Sequence, residues 1–165
     1  MGASHHRSPA RSLAMGALAL GCVALTGCGT TGPGAPFSIE LANNARLWAG
    51  QAPDAYRYAV RRLCFCGPEA IGPVRMDVVD GQVVSMVYVE GGGPVDSDYE
   101  SLFPTVEGLF AVLADALERD AVQIDVTGDP ETGIPVDFFI DYDEGIADEE
   151  LGFTVTEMPE AIDPE

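Results

Sequence analysis

Two cysteines separated by one residue, Cys64 and Cys66, have the spacing that most directly suggests chemistry in this 165-residue chain. Such a pair can form a local disulfide, act as a redox-active pair or supply two thiolates to a metal ion. In a flat strand the two Cα atoms would lie about 6.5 Å apart, near the upper limit for a disulfide, so the bond requires a bend near Gly67. We favour the local structural disulfide, because Arg62 is the only nearby cation that could activate a thiolate and further soft metal ligands are lacking.

Side-chain catalysis has few candidates in this sequence. The chain contains no lysine, and its two histidines, His5 and His6, lie in an N-terminal segment that we expect to be removed. Catalytic triads and dyads that need histidine or lysine, Schiff bases, phosphate-binding lysines and histidine-based zinc sites are therefore excluded from the remaining chain. Paired carboxylates remain, but a small domain with helices over one sheet face leaves little room for a sugar-binding cleft. We predict no catalytic residue and no cofactor, and hence a non-enzymatic protein.

Acidic residues are concentrated between Asp137 and Glu150, where hard oxygen ligands could hold calcium. The segment Asp141-x-Asp143-x-Gly145 lacks a third ligand at the fifth position of a calcium-binding loop, and Gly152 stands at the twelfth position, where an acid is needed. We therefore expect a solvated acidic loop without a metal site, and keep weak calcium binding as the alternative.

The beginning of the chain has the pattern of an export signal. Residues 1–12 are polar and carry Arg7 and Arg11, and an apolar stretch follows from Leu13 to Leu25. That stretch has the length of a secretory hydrophobic region and is too short to span a bilayer as a helix. We predict export and exclude this segment from the folded domain.

The apolar stretch ends in Leu25-Thr26-Gly27-Cys28, which resembles the lipobox of bacterial lipoproteins. The resemblance implies that the Cys28 thiol receives diacylglycerol and becomes the first residue of the mature protein, with Cys22 as a weaker candidate. Residues 1–27 would then be a signal peptide, and the Gly- and Pro-containing residues 28–36 a flexible tether.

The net charge of the chain beyond Cys28 is −21, because it holds all 27 acids but only six of the eight arginines. Anionic headgroups repel such a protein, so membrane attachment has to come from inserted acyl chains, of which two or more are needed for stable anchoring. The same charge argues against nucleic acid as a partner. We expect a protein anchored to the cell membrane or outer membrane by its lipid, with an envelope protein of unknown identity as its partner.

Residues 37–158 are predicted to form one α+β domain, and residues 159–165 a disordered acidic tail. The periodicities predict about six antiparallel strands and two helices in the order α-β-β-β-α-β-β-β, with the helices on one sheet face. Ser38 and Thr105 are the expected N-caps of the helices, and Asp80-Gly81 is a hairpin signal. The expected strands are 55–66, 74–78, 83–89, 122–126, 134–142 and 151–158, of which 83–89 is expected to be central because it is apolar on both sides.

Within the domain, a set of short motifs resembles an uncharacterised family of bacterial secreted and lipid-anchored domains with W…YxY…CxC…DGxV…GxP signatures. The matching residues are Trp48, Tyr56-x-Tyr58, Cys64-x-Cys66, Asp80-Gly81-x-Val83, Thr132-Gly133-Ile134-Pro135 and Asp148-Glu149-Glu150-x-Gly152-Phe153. We expect the tryptophan and tyrosines to pack in the core. The resemblance supplies no activity, so the leading hypothesis is a lipid-anchored binding or structural module, and the alternative is a thiol-disulfide redox protein or small enzyme that uses Cys64 and Cys66.

Overall fold

The computed structural model describes Gly2, residues 34–146 and residues 148–163. The chain divides into two units, Met1–Thr30 and Thr31–Glu165, and the elements below belong to the second. In chain order they are α1 (Gly34–Ala49), β1 (Ala55–Leu63), β2 (Val74–Val79), β3 (Gln82–Tyr88), α2 (Ser97–Glu100), α3 (Val106–Glu118), β4 (Gln123–Gly128), β5 (Pro135–Asp141) and β6 (Leu151–Ala161). None of the helices described is both long and apolar enough to cross a membrane.

The six strands form one sheet in the order β3-β2-β1-β6-β5-β4, and every neighbouring pair is antiparallel. Short connections between consecutive strands favour this arrangement, because parallel pairing needs a long crossover. The predicted α+β class and sheet are confirmed. The four-residue helix α2 is an addition that the periodicities did not predict.

One face of the sheet carries the hydrophobic core. The alternating residues Tyr56, Tyr58 and Val60 of β1 are buried there, and they share one core cluster with α1 and α3. The helices contribute Trp48 from α1 and a buried stripe from α3, namely Val106, Leu109, Phe110, Leu113 and Ala116. The cap of α3 is also confirmed, since Thr105 Oγ1 accepts a hydrogen bond from the Gly108 N–H at 3.2 Å.

The opposite face of the sheet carries two ion pairs, one between the neighbouring strands β1 and β2 and one that reaches across β1 from β2 to β6. Arg57 donates to both carboxylate oxygens of Asp77 at 2.6 and 2.7 Å, and Arg75 pairs in the same two-pronged way with Glu157. These pairs are exposed or half-buried, so solvent screens them and each contributes little to the stability of the fold.

Strand β3 lies at the edge of the sheet, so the prediction that it is central was wrong. Its run of apolar residues includes Val84, which is 63% exposed beside a register shift between β2 and β3. A bulge of this kind breaks the alternation that distinguishes an inward face from an outward one. Part of the outer edge is covered by the following loop, where Tyr88 N donates to Gly93 O and Val95 N donates to Met86 O.

Several element ends also differ from the prediction. Helix α1 begins at Gly34, so residues 34–36 of the predicted tether are helical, and the prediction that Ser38 is the N-cap was wrong because Ser38 lies within the helix. Strand β6 continues to Ala161, which pairs with Tyr56, so residues 159–161 of the predicted tail belong to the sheet. Val122 was expected inward on a strand but precedes β4 and is 53% exposed. The extension of β6 follows from its pairing with β1, a tertiary contact that the local pattern does not contain. The other two differences are shifts of an element's end by a few residues.

Strand β1 ends at Leu63 instead of continuing to Cys66. The chain bends at residues 64–66, and the Cα atoms of Cys64 and Cys66 are 5.4 Å apart. This is shorter than the separation of about 6.5 Å in a flat strand. The bend that a disulfide at this spacing requires is therefore present.

Gly133 fixes the loop between β4 and β5 against α1. Asp129 Oδ1 accepts hydrogen bonds from the backbone N–H and the hydroxyl of Thr132, which shapes the turn. Gly133 follows with a φ of +77°, and a Cβ atom there would lie 2.6 Å from the carbonyl oxygen of Asn44 in α1. The close approach of this loop to the helix thus requires glycine.

We expect Gly133→Ala to lower the free energy of unfolding by about 2–5 kcal/mol, because it combines left-handed backbone strain with a steric clash. The matched control is Gly91→Ala, since Gly91 has a φ of +85° but nothing within 4 Å of an added Cβ. That control should cost only the backbone term of about 1–2 kcal/mol. Urea unfolding measures the free energy of unfolding of both variants. An equal decrease in Gly133→Ala and Gly91→Ala would show that the contact with Asn44 does not affect stability.

Candidate functional site

The two cysteines and the acidic residues 148–150 lie far apart in the sequence but line the same cavity. The cavity has a volume of about 560 Å³ and is open to solvent at one side. Its lining residues are Arg62, Cys64, Phe65, Cys66, Ala111, Val112, Asp115, Arg119, Tyr142, Asp148, Glu149, Glu150 and Leu151. We call this set the CxC cavity.

Three parts of the fold position the CxC cavity. Arg62 pairs in register with Phe153 of β6, and since Phe153 is buried, both residues point toward the helix side of the sheet. The C-terminal half of α3 forms the facing wall through Asp115 and Arg119. The loop between β5 and β6 closes the third side with Tyr142 and its acids.

Arg62 contacts the sulfur atoms of both cysteines. Its Nη1 donates to Cys64 Sγ at 3.1 Å and lies 3.7 Å from Cys66 Sγ, and the two sulfurs are in close contact with each other. No carboxylate in the described ranges forms an ion pair with Arg62. Burial lowers the pKa of this guanidinium, which nevertheless remains charged near neutral pH.

The facing wall of the CxC cavity holds a second arginine whose partners are different. Arg119 lies 3.9 Å from the ring centroid of Tyr142 and 3.4 Å from a carboxylate oxygen of Asp115. Burial raises the pKa of Tyr142 despite the opposing effect of Arg119. Nearby, the Oε1 atom of Glu149 is buried and accepts no hydrogen bond from the described residues. Glu149 belongs to the loop between β5 and β6, so this buried acceptor lies on the third side of the CxC cavity.

The mouth of the CxC cavity is apolar and strongly exposed. Phe65 lies between the two cysteines and is 84% exposed, and Leu63 at the end of β1 is 57% exposed. A phenylalanine this exposed gains nothing from folding, since the hydrophobic effect rewards only area removed from water. Phe65 thus forms an apolar tip beside the acidic rim of residues 148–150, whereas Leu63 is exposed next to the cavity without lining it.

Carboxylates of the acidic loop are used mainly to shape its own backbone. Asp141 accepts from the Asp143 N–H at 3.0 Å, and Asp143 accepts from the Gly145 N–H at 2.9 Å. Among the residues that can be described, no group of three histidine, cysteine or acidic side chains is arranged to hold a metal ion. The carboxylates of Asp141 and Asp143 thus act as acceptors for backbone turns within the loop.

A second polar cluster, which the sequence did not predict, joins α1, β1 and α3 at Glu107. Trp48 Nε1 donates to one carboxylate oxygen at 2.7 Å, and the Tyr56 hydroxyl donates to the other at 2.8 Å. Tyr58 donates to the carbonyl of Pro104 just before the helix. The expected burial of all three aromatic residues is confirmed, with Trp48 the most exposed at 4%.

The pKa values in this cluster follow from its contacts. Burial raises the pKa of Tyr56 well above its ordinary value, and the hydrogen bond to Glu107 adds to the effect. Burial alone would raise the pKa of Glu107, but hydrogen bonds from Trp48, its own backbone N–H and Tyr56 outweigh it and hold the pKa below 4.5. The cluster is thus a fully paired tie between helices and sheet, with no group free for chemistry. From the sequence one could expect that the buried indole N–H of Trp48 needs a hydrogen-bond acceptor. The sequence does not indicate which residue supplies that acceptor.

Cys28 and Cys22, the candidates for lipid attachment, lie outside the described residues.

Comparison with known proteins gives one finding. The profile of a family described as "Family of unknown function (DUF6174)" matches residues 40–160. The matched range contains Cys64, Cys66, Glu107 and the whole acidic loop. No curated protein and no solved structure matches the chain.

Proposed function

The chain belongs to this family of unknown function, DUF6174, and we propose that it is a lipid-anchored extracytoplasmic envelope protein whose α+β domain has a non-enzymatic binding or structural role. The family carries no assigned activity, so the proposal is argued from the residues of this chain. The proposal has two parts, a lipid anchor at Cys28 and a contact surface on the domain, and different residues support each part.

The anchor is proposed from the sequence of residues 25–28. A thioether-linked diacylglycerol on Cys28 would hold the mature chain at the cell membrane or outer membrane, with the residues before Gly34 as the link to the domain. Each acyl-chain methylene buried in the bilayer contributes about 0.8 kcal/mol to membrane binding. The sum over two acyl chains outweighs the repulsion between anionic lipids and an anionic domain. Export would also place Cys64 and Cys66 in an oxidising compartment, and we propose that their contact is a disulfide.

The contact surface is proposed at the mouth of the CxC cavity, and the exposure of Phe65 is the observation that carries it. Exposed aromatic side chains at a concave site are typical anchors of protein interfaces. The acidic rim of residues 148–150 favours a protein partner that presents an apolar pocket flanked by cationic side chains. The absence of lysine and the charge of −21 beyond Cys28 do not favour nucleic acid.

Site-directed photocrosslinking in intact cells tests the contact surface. We expect a photoreactive phenylalanine analogue at Phe65 to give one discrete crosslinked protein, and the same analogue at Leu63 to give the same product. The matched control is Val84, which is also exposed but lies on edge strand β3. The product should weaken when Asp148, an exposed residue of the acidic rim, is changed to asparagine, because the partner's cation loses its charge-assisted contact. Indistinguishable background from all three positions would contradict a contact surface at Phe65.

A further inference from the structure

The contacts of Arg62 with the two cysteines have a consequence beyond anchoring and binding. Guanidinium groups normally donate to carboxylates, yet in the described part of the chain the hydrogen bonds of Arg62 go to Cys64 Sγ and Cys66 Sγ. The two cysteines are half-buried on a bend, and the chain around them is open to solvent at Phe65. A disulfide with a purely structural role would gain little from a desolvated cation, whereas a thiolate would be stabilised strongly.

We propose that Cys64 and Cys66 are a redox-active pair that exchanges its disulfide with a dithiol of an exported protein, and that Arg62 is the positioning residue for the Cys64 thiolate. The proposal adds a thiol-oxidising activity to the proposed binding role, and it rests on the proposed export, which supplies an oxidising compartment, but not on the lipid anchor. It assigns to the CxC cavity a substrate class, a protein segment with two thiols, and a direction of electron flow.

The distances assign a role to each sulfur. A substrate thiol loses its proton to water, and the resulting thiolate attacks Cys66 Sγ, the sulfur farther from Arg62. The bond between the two cysteine sulfurs breaks, and its electron pair leaves on Cys64 Sγ, which lies 3.1 Å from the guanidinium. Leaving groups with a lower thiol pKa depart faster, so a nearby cation favours this sulfur.

The second substrate thiol, also deprotonated by water, then attacks the substrate's own sulfur in the mixed disulfide. The bond to Cys66 breaks, and Cys66 takes up one proton. The substrate has lost two electrons and two protons as it gains a disulfide. The pair has gained the two electrons, with a proton on Cys66 and a thiolate at Cys64.

The other charged groups of the CxC cavity explain why one thiolate, and not two, is stabilised. Arg119 is paired with Asp115 and stacked on Tyr142, so it does not compensate a second anion. The rim residues Asp148, Glu149 and Glu150 line the same cavity and disfavour further negative charge. We therefore expect a single low titration for the reduced pair.

The test is the redox equilibrium of the full chain in detergent, measured with defined ratios of reduced to oxidised glutathione. Free thiols are trapped by alkylation, and the peptide that trypsin releases up to Arg75 reports both cysteines together and no other. The variants are Arg62→Met, which removes the charge, Arg62→Lys, which restores it in part, and Arg61→Met. The last is the matched control, because Arg61 is exposed and pairs in register with Thr154 on the polar sheet face.

We expect the wild-type pair to titrate within the glutathione range. Arg62→Met should shift its equilibrium toward the disulfide by about tenfold or more, the size expected for losing a hydrogen bond to a charged acceptor. Arg62→Lys should recover part of the shift, and Arg61→Met should stay within about twofold of the wild type. A wild-type pair that stays fully disulfide or fully reduced at every ratio, or equal constants for Arg62→Met and Arg61→Met, would overturn the proposal.

A second measurement tests whether Arg62 stabilises the Cys64 thiolate even if Arg62→Met does not fold. The alkylation rate of the reduced wild-type chain should rise with pH through a titration below about 8.5, the ordinary cysteine pKa. Titration at or above that value would overturn the role of Arg62.

Discussion

Replacing Glu107 by alanine is expected to lower the free energy of unfolding by about 2–3 kcal/mol. The carboxylate accepts hydrogen bonds from Trp48 and Tyr56, and both donors are almost fully buried. Without it, the indole N–H and the phenol O–H lose a charged acceptor, and each such hydrogen bond is worth about 1.5–3 kcal/mol. Because Glu107 is itself exposed, water replaces part of this loss. The start of α3 stays packed on α1 and β1 through the hydrophobic core, but it loses the polar contact that Glu107 makes to both.

Two variants make this prediction specific. Glu107→Gln keeps one good acceptor oxygen, so we expect a smaller loss of about 1–2 kcal/mol. Glu118→Ala removes an exposed carboxylate at the other end of α3 and should change stability by less than about 0.5 kcal/mol. Urea unfolding followed by tryptophan fluorescence is well suited, since Trp48 is the one tryptophan in the chain. Equal stability of Glu107→Ala and Glu118→Ala would refute the tie.

The sign of the pH dependence follows from the same contacts. The pKa of Glu107 is lower in the folded state than its ordinary value of 4.5. Its contribution to stability is therefore fully present above about pH 4.5 and is lost as pH falls through the lower folded-state value. In Glu107→Gln, the free energy of unfolding should therefore fall less steeply as the pH drops below about 4.5. The contributions of Asp129 and Glu157, whose pKa values are also lowered, should remain in this variant.

Replacing Cys28 by serine is expected to abolish the incorporation of labelled fatty acid into the protein. Serine has nearly the same size as cysteine but lacks the thiol that receives diacylglycerol, so the change is all or none. Cys22→Ser is the matched control, because Cys22 lies in the same apolar segment six residues earlier. We expect full labelling of Cys22→Ser and none of Cys28→Ser.

Fractionation of the same cells separates a lipid anchor from electrostatic adsorption. The labelled protein should stay with membranes in high salt, because its attachment comes from buried acyl chains and not from charge attraction. Label on Cys28→Ser, or release of the wild type by salt alone, would contradict the anchor.

Local patterns were sufficient for much of the fold. The apolar spacing of α3 and its cap at Thr105 appear as predicted, because both depend on residues within a few positions of each other. The hairpin at Asp80 and Gly81 is formed with positive φ at both residues, +48° and +73°, as the type I′ turn requires. The burial of Val74, Met76 and Val78 likewise follows from strict alternation.

Features that depend on distant residues were beyond local reasoning. The bonds to Glu107 span 51 and 59 residues, and only the folded chain brings these partners together. The edge position of β3 depends on where β1 and β6 pair, so its apolar sequence was misleading. The CxC cavity combines β1, α3 and the acidic loop, and so Arg62 was visible in the sequence as a neighbour of the cysteines but not as their buried donor.

The lipid on Cys28 is the central claim, and mass spectrometry of the protein purified from its native envelope tests it most directly. Because the chain has no lysine and Arg46 is the first arginine beyond Cys28, trypsin leaves residues 28–46 as a single N-terminal peptide. We predict that this peptide begins at Cys28 and carries the mass of a diacylglyceryl group on its sulfur. A peptide that begins elsewhere, or a Cys28 without acyl chains, would contradict the account.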